Sequence, residues 1–259
     1  FRLTANHTIR SQLLLSPAYA SARAAFLKAT LEGTKSAEGI RPATSPEIAA
    51  KYLETIKGLE KMKGREMYFQ YLSSGIGSGP FVELMDGSRK LDLITGIGIN
   101  FFGHSHPALI EELLDGITSD VMQGNLQPGI ESEEIIRTVL SNVGPKSRLK
   151  HAWLFGSGTM SNETALKIIR QKKFPATRIF AFADAFAGRS TAMQEISDNP
   201  KYREGQPTYG EVTHLPFYDP KLGVDASAAL TVKRLEEEVL RQPGKYAGLM
   251  IELVQGEGG

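Results

Sequence analysis

The stretch from Leu154 to Lys167 sets small and hydroxyl-bearing residues between an apolar run and an amphipathic one. Leu154-Phe155 comes first, then Gly156-Ser157-Gly158-Thr159, then Met160 to Lys167. The order reads as a strand end, a tight turn and a helix start. Backbone N–H groups at such a turn, with the helix dipole behind them, form an anion site suited to a phosphate. Gly158 lets backbone come close to an anion, and Ser157 and Thr159 add hydroxyl donors. The same residues also read as a plain helix cap with no ligand. In that reading Asn162 and Glu163 simply complement the dipole.

Two further groups carry chemistry. Phe186-Ala187-Gly188-Arg189-Ser190 follows the apolar run Ile179–Ala183. Phe186 offers an aromatic face to a flat cofactor, or else is core; Arg189 is suited to a carboxylate partner. Glu252 and Glu257 lie just past the apolar Leu249-Met250-Ile251. A carboxylate there is costly to bury alone, so it is either a site residue or a solvated loop residue. Gly256, Gly258 and Gly259 imply a backbone that turns tightly around them.

A fourth group, Gly96 to Pro107, contains Gly-x-Gly, but its third glycine is misplaced for a dinucleotide fingerprint. No ribose-binding acid follows at the required distance, which argues against a plain NAD-binding domain. His104 and His106 stand two apart without ligand-spaced partners, so no metal is expected.

These groups need elements to hold them. Residues 1–63 read as mainly helical, with Ser45-Pro46-Glu47 a helix start and Ile48, Tyr52, Ile56 and Leu59 one apolar face. Gly33 to Thr44 reads as a loop. Phe81–Met85, Asp86-Gly87 and Leu91–Ile94 predict a β-hairpin. Pro107 opens a helix to about Val121, and Glu131–Asn142 is another. From residue 150 strands alternate with helices: strands at Ala152–Phe155, Arg178–Ala183, Val212–Leu215 and Gly248–Leu253, helices at Met160–Lys172, Gly188–Glu195 and Ala226–Arg241. Such alternation predicts an α/β sheet with mixed or parallel strands. Sites on these sheets lie at the carboxyl ends of strands, where Ser157, Phe186 and Glu252 fall.

Composition narrows the classes. The 259 residues are 41% hydrophobic and 23% charged, with a net charge of +1. No strongly basic nucleic-acid surface is expected. There is no cysteine, which excludes disulfides and thiolate metal sites and fits a reducing compartment, the cytoplasm. No apolar run approaches the ~20 residues needed to span a bilayer, so no membrane partner is expected. The chain begins at Phe1 and ends at Gly258-Gly259, and is expected to be a piece of a longer polypeptide.

Taken together, the motifs resemble the class III (acetylornithine and ornithine type) aminotransferases of the fold-type I pyridoxal phosphate enzymes. Asp92–Pro107 is similar to that family's segment near the site entrance. Ser157-Gly158-Thr159 matches its phosphate turn, Phe186-Ala187-Gly188-Arg189 its ring-stacking motif, and Glu252 to Gly259 its two-glutamate, glycine-rich segment. The resemblance covers roughly residues 75–259. This chain departs from the usual pattern at Gly156, Met160, Ala187 and Leu253, where the family commonly has Asn, Glu, His and Pro.

The resemblance implies a mostly parallel central sheet flanked by helices. Behind the N-terminal segment, 1–74, which its own residues mark as helical, it implies the first part of a small domain over 75–145 and an incomplete cofactor-binding large domain over 146–259. The implied cofactor is pyridoxal 5'-phosphate, held by Ser157, Gly158 and Thr159, with Phe186 on its ring, Glu252 beside the ring and Glu257 on the substrate side. The implied reaction moves an amino group from an amino-acid or ω-amino donor to a 2-oxo acid such as 2-oxoglutarate, in a homodimer. The family's Schiff-base lysine and pyridine-nitrogen aspartate would lie beyond Gly259, so these residues alone are expected not to transaminate. Alternatives are another fold-type I enzyme, an aminomutase or decarboxylase, or a non-catalytic binding protein derived from the fold.

Overall fold

Serine–proline pairs set where two of the N-terminal helices begin. In the computed structural model, which describes residues 7–119 and 126–259, helix α1 spans Ile9–Leu15 and α2 spans Pro17–Thr34. The Ser16 hydroxyl accepts from the Tyr19 N–H at 3.2 Å and so caps α2. A single 3₁₀ turn, Lys35–Ala37, follows, so part of the predicted Gly33–Thr44 loop is helical. Helix α3 spans Pro46–Lys63, capped by Ser45 and ended by Gly64 in the left-handed conformation. Of its predicted apolar face, Tyr52 and Ile56 are buried against Leu84, Met67 and Leu72, while Ile48 stays exposed.

The hairpin forms as an antiparallel three-stranded sheet of β1 (Ser73–Ser78), β2 (Phe81–Leu84) and β3 (Arg89–Leu91). Asp86 and Gly87 make the turn between β2 and β3. Gly87 has φ +75°, and a Cβ there would lie 2.2 Å from the Thr44 hydroxyl. The second strand of the hairpin ends earlier than the predicted Ile94. Asp92 Oδ1 accepts from the N–H groups of Ile94 and Thr95, both at 2.9 Å, and turns the chain out of the ladder. Helix α4 then spans Pro107–Gly116; Val121, its predicted end, lies outside the described residues.

The chain divides into two units, Phe1–Met122 and Gln123–Gly259. The first element among the second unit's described residues is helix α5, Ile130–Asn142, followed by α6, Gly158–Lys173. Strand β4, Arg178–Phe182, is followed by the short helices α7, Thr191–Ile196, and α8, Pro200–Arg203. Strand β5, Val212–Leu215, helix α9, Gly223–Arg241, and strand β6, Tyr246–Leu249, complete it.

The sheet order is β5-β4-β6 and both pairings are parallel. The central strand, Arg-Ile-Phe-Ala-Phe, is buried from Ile179 to Phe182, the continuous apolar run that a parallel strand covered on both faces requires. Ile179 and Ala181 cluster with Leu166 of α6 and with Met193 and Ile196 of α7. Phe180 and Phe182 cluster with Leu215, and Leu235 of α9 packs against them. The sheet thus has helices on both faces. Among the described residues, no helix is long and apolar enough to cross a membrane.

Three elements predicted in this unit differ. The strand predicted over Gly248–Leu253 is β6 at Tyr246–Leu249, so Glu252 lies past the strand and not within it. Ala152–Phe155 pairs with no strand among the described residues, and Trp153 is 58% exposed. Apolar alternation marks a segment able to pair, but a strand exists only where another backbone takes up its hydrogen bonds. The helix predicted over Gly188–Glu195 starts only at Thr191. Gly188 has φ +135°, a conformation outside any right-handed helix.

Candidate functional site

Helix α6 presents its first turn at Ser157-Gly158-Thr159. The Ser157 hydroxyl accepts from the Met160 N–H at 3.2 Å, and its carbonyl accepts from the Ser161 N–H at 3.0 Å. The N–H groups at the start of a helix have no carbonyl one turn back to bond. Here they belong to Gly158 and Thr159, beside two hydroxyls and the positive end of a 16-residue helix. A Cβ built on Gly158 would meet no atom within 4 Å, so the space over the turn is open. The donor set fits a phosphate monoester.

Parallel pairing brings the carboxyl ends of β4 and β6 to one edge. After β4 the chain runs through Ala183 to Phe186; after β6 it reaches Glu252. Glu252 ties these two exits together. Its Oε2 accepts from the Phe186 N–H at 2.9 Å and its Oε1 accepts from the Gly256 N–H at 3.2 Å. Buried Gln255 adds a second tie, donating from Nε2 to the Ala183 carbonyl at 2.7 Å.

The loop after β4 is also fixed to α6. Gly188 faces Thr159 so closely that a Cβ on it would lie 2.4 Å from the Thr159 hydroxyl oxygen. Asn162 donates from Nδ2 to the Ala187 carbonyl at 2.8 Å, and the Ser190 hydroxyl donates to the Glu163 carboxylate. Asn162 and Glu163 therefore do more than complement a dipole: each holds the segment that carries Phe186.

Phe186 is half-buried, with its ring centroid 5.7 Å from that of Tyr202 and the two planes at 72°. The Tyr202 hydroxyl donates to Glu257 Oε1 at 2.7 Å. That bond pushes the Tyr202 phenol above its ordinary pKa; partial burial and the Glu257 charge act in the same direction, and Arg189 opposes them. Arg189 carries its guanidinium 5.2 Å from the Tyr202 ring centroid, which is the partner it takes here rather than a carboxylate. The six residues singled out in the sequence thus lie in one unit, joined through the Thr159–Gly188, Phe186–Glu252 and Phe186–Tyr202–Glu257 contacts. Tyr202 belongs to no motif, and only its position beside both Phe186 and Glu257 singles it out.

The Gly96–Pro107 group lies in the first unit. His104 Nε2 and Asp92 Oδ2 are 2.8 Å apart. His104 also exchanges two backbone hydrogen bonds with Gly79, at 2.8 and 3.0 Å. Burial would raise the Asp92 pKa, but the His104 hydrogen bond and the N–H groups of Thr95 and Ile94 outweigh it and hold the carboxyl below its ordinary value. This pair pins the loop 92–106 to the sheet.

Residues 65–259 match the family described as aminotransferase class-III. An acetylornithine aminotransferase of Mycolicibacterium smegmatis is 33% identical over 192 residues, covering 73% of this chain and 43% of that protein. Among solved structures, a lysine aminotransferase from M. tuberculosis superposes with a TM-score of 0.66 at 20% identity, covering 79% of this chain and 53% of that one. An amine transaminase from an uncultivated Pseudomonas species, solved in its PLP-bound form, superposes with a TM-score of 0.64 at 19% identity, covering 72% and 45%. These two establish the fold as that of fold-type I transaminases. The chain spans less than half the length of the Mycolicibacterium smegmatis protein and of other similar curated relatives.

Proposed function

The chain belongs to the class-III aminotransferases, and on that premise we propose that it supplies the phosphate, ring-stacking and substrate-side parts of a transaminase site. The cofactor is pyridoxal 5'-phosphate, and the reaction moves an amino group from an amino-acid or ω-amino donor to a 2-oxo acid such as 2-oxoglutarate. The observation that carries this reading is the joining of the α6 N-terminal turn to the Phe186 loop through Thr159, Gly188 and Asn162. A phosphate cradle and an aromatic ring are thereby held on one frame.

When bound, pyridoxal phosphate provides an electron sink for the charge left as the donor's Cα proton departs. The residues of this chain bind and orient. Ser157, Gly158 and Thr159 offer N–H and hydroxyl donors to the phosphate. Phe186 offers its ring to the pyridine. Glu252 fixes the Phe186 backbone and sets a negative charge near the ring, and Glu257 faces the substrate. The lysine that moves the proton is assigned outside residues 1–259; Lys167, exposed on α6, is not given that role. Homodimer assembly and a cytoplasmic location complete the proposal. The family match does not favour the aminomutase, decarboxylase or non-catalytic readings.

The test uses the full-length polypeptide. Uptake of pyridoxal phosphate and formation of glutamate from 2-oxoglutarate with acetylornithine, lysine or a diamine as donor are expected. A full-length protein that takes up cofactor yet transfers no amino group from any of these donors, and instead releases carbon dioxide, would overturn the reading in favour of a decarboxylase.

A further inference from the structure

We propose that Tyr202 is a positioning residue of this site: its hydroxyl holds Glu257 and its ring bears on Phe186, coupling the substrate side to the stacking ring. The proposal rests on the roles given above to Phe186 and Glu257. Three contacts carry it. The phenol donates to Glu257 Oε1 at 2.7 Å. The Tyr202 ring meets Phe186 edge to face, with centroids 5.7 Å apart. The Arg189 guanidinium lies over the same tyrosine ring at 5.2 Å. Phe186 and Arg189 bound one loop and Glu257 lies on another, so a single side chain from α8 touches both.

The local sequence holds Tyr202 in place. Asn199 caps α8 by accepting from the Lys201 N–H at 3.1 Å, and Pro200 opens the helix. Glu257 lies among glycines and is exposed. Without a tether its side chain would sample several rotamers, and substrate binding would have to order it. The phenol orders it beforehand. A neutral donor does this without cancelling the carboxylate's charge, so Glu257 keeps its attraction for a cationic group. With its pKa pushed up by the Glu257 bond, the phenol remains protonated and donating at neutral pH.

Two substitutions separate the two functions of the side chain. Tyr202→Phe keeps the ring and removes the tether; Tyr202→Leu removes both. In the full-length protein loaded with pyridoxal phosphate, Tyr202→Phe should raise KM for the amino donor by about threefold to tenfold, with cofactor affinity and absorbance unchanged. Tyr202→Leu should in addition shift the cofactor's absorbance and weaken its binding several-fold. Because Tyr202 acts through Glu257, the double variant Tyr202→Phe/Glu257→Gln should match Glu257→Gln alone in KM. Additive effects in that cycle, or a wild-type KM for Tyr202→Phe, overturn the proposal. Should Tyr202→Leu fail to fold, the cycle with Phe decides by itself. Wild-type protein that takes up no cofactor overturns the transaminase reading and this proposal with it. Wild-type uptake with additive variants overturns this proposal alone.

Discussion

Gly188 lies against Thr159 with no room for a side chain between them: a Cβ on Gly188 would stand 2.4 Å from the threonine hydroxyl oxygen and 2.9 Å from its methyl carbon. The glycine also has φ +135°, where an L residue is strained. Gly188→Ala therefore meets two penalties, steric and conformational, together about 2–4 kcal/mol. Because Thr159 must yield, the loss should extend to the Ser157–Thr159 turn that is proposed to hold the phosphate. Denaturant unfolding is expected to show the destabilisation, and titration with pyridoxal phosphate a weakened affinity. Wild-type cofactor affinity in a folded Gly188→Ala variant would show that the turn does not depend on this contact.

Ser157 has two tasks that one substitution separates. Its hydroxyl oxygen caps α6 through the Met160 N–H, and its hydroxyl hydrogen remains to donate outward. Ser157→Ala should cost about 1 kcal/mol of stability through the lost cap. If the hydroxyl also serves the phosphate, affinity for pyridoxal phosphate should fall more than affinity for pyridoxal, which lacks the phosphate. Equal losses for the two ligands would leave Ser157 with the capping task alone.

Glu252 accepts from two backbone N–H groups, one on each side of the site, at Phe186 and Gly256. Glu252→Ala leaves both without this partner and should cost about 1–3 kcal/mol, since water reaches this half-buried position and recovers part of the loss. Glu252→Gln keeps an acceptor oxygen for one of the two and removes the charge. Stability should therefore rank wild type, Gln, Ala in thermal unfolding. If Glu252 lies beside the ring as proposed, cofactor absorbance should change already in the Gln variant, which removes its charge. An unchanged spectrum in a well-folded Gln variant would remove Glu252 from the ring environment.

Much of this site was legible in the sequence because its parts are local. A hydroxyl before a glycine at a helix start, an aromatic just past a strand and a glutamate at a strand exit each declare themselves within a few residues. Tyr202 was not legible: it stands 55 residues from Glu257, and nothing in its neighbours foretells that contact. The strand expected at Ala152–Phe155 shows the opposite limit, since periodicity reports the capacity to pair and not the presence of a partner. The late start of α7 has a tertiary cause as well. Gly188 takes its conformation to pass Thr159, a demand set by α6 rather than by the sequence around Gly188.

The Asp92–His104 pair makes a prediction about acid. The hydrogen bond from His104 and those from the Thr95 and Ile94 N–H groups outweigh burial and hold the folded-state pKa of Asp92 below its ordinary value, about 3.9 for an aspartate in an unfolded chain. A depressed pKa means that the unfolded state binds the proton more readily, so stability rises with pH through this window. The contribution is present in full above about pH 4 and is lost as pH falls through the lower, folded-state value. Unfolding free energy measured from pH 6 down to pH 2 should therefore decline more steeply in wild type than in Asp92→Asn, and the two curves should converge at the acid end. The asparagine variant should also be less stable at neutral pH, because its amide supplies one acceptor oxygen where the carboxylate serves the Ile94 and Thr95 N–H groups through Oδ1 and His104 through Oδ2. Parallel curves across the whole range would mean that Asp92 titrates alike in both states and that the loop 92–106 is held by its backbone bonds alone.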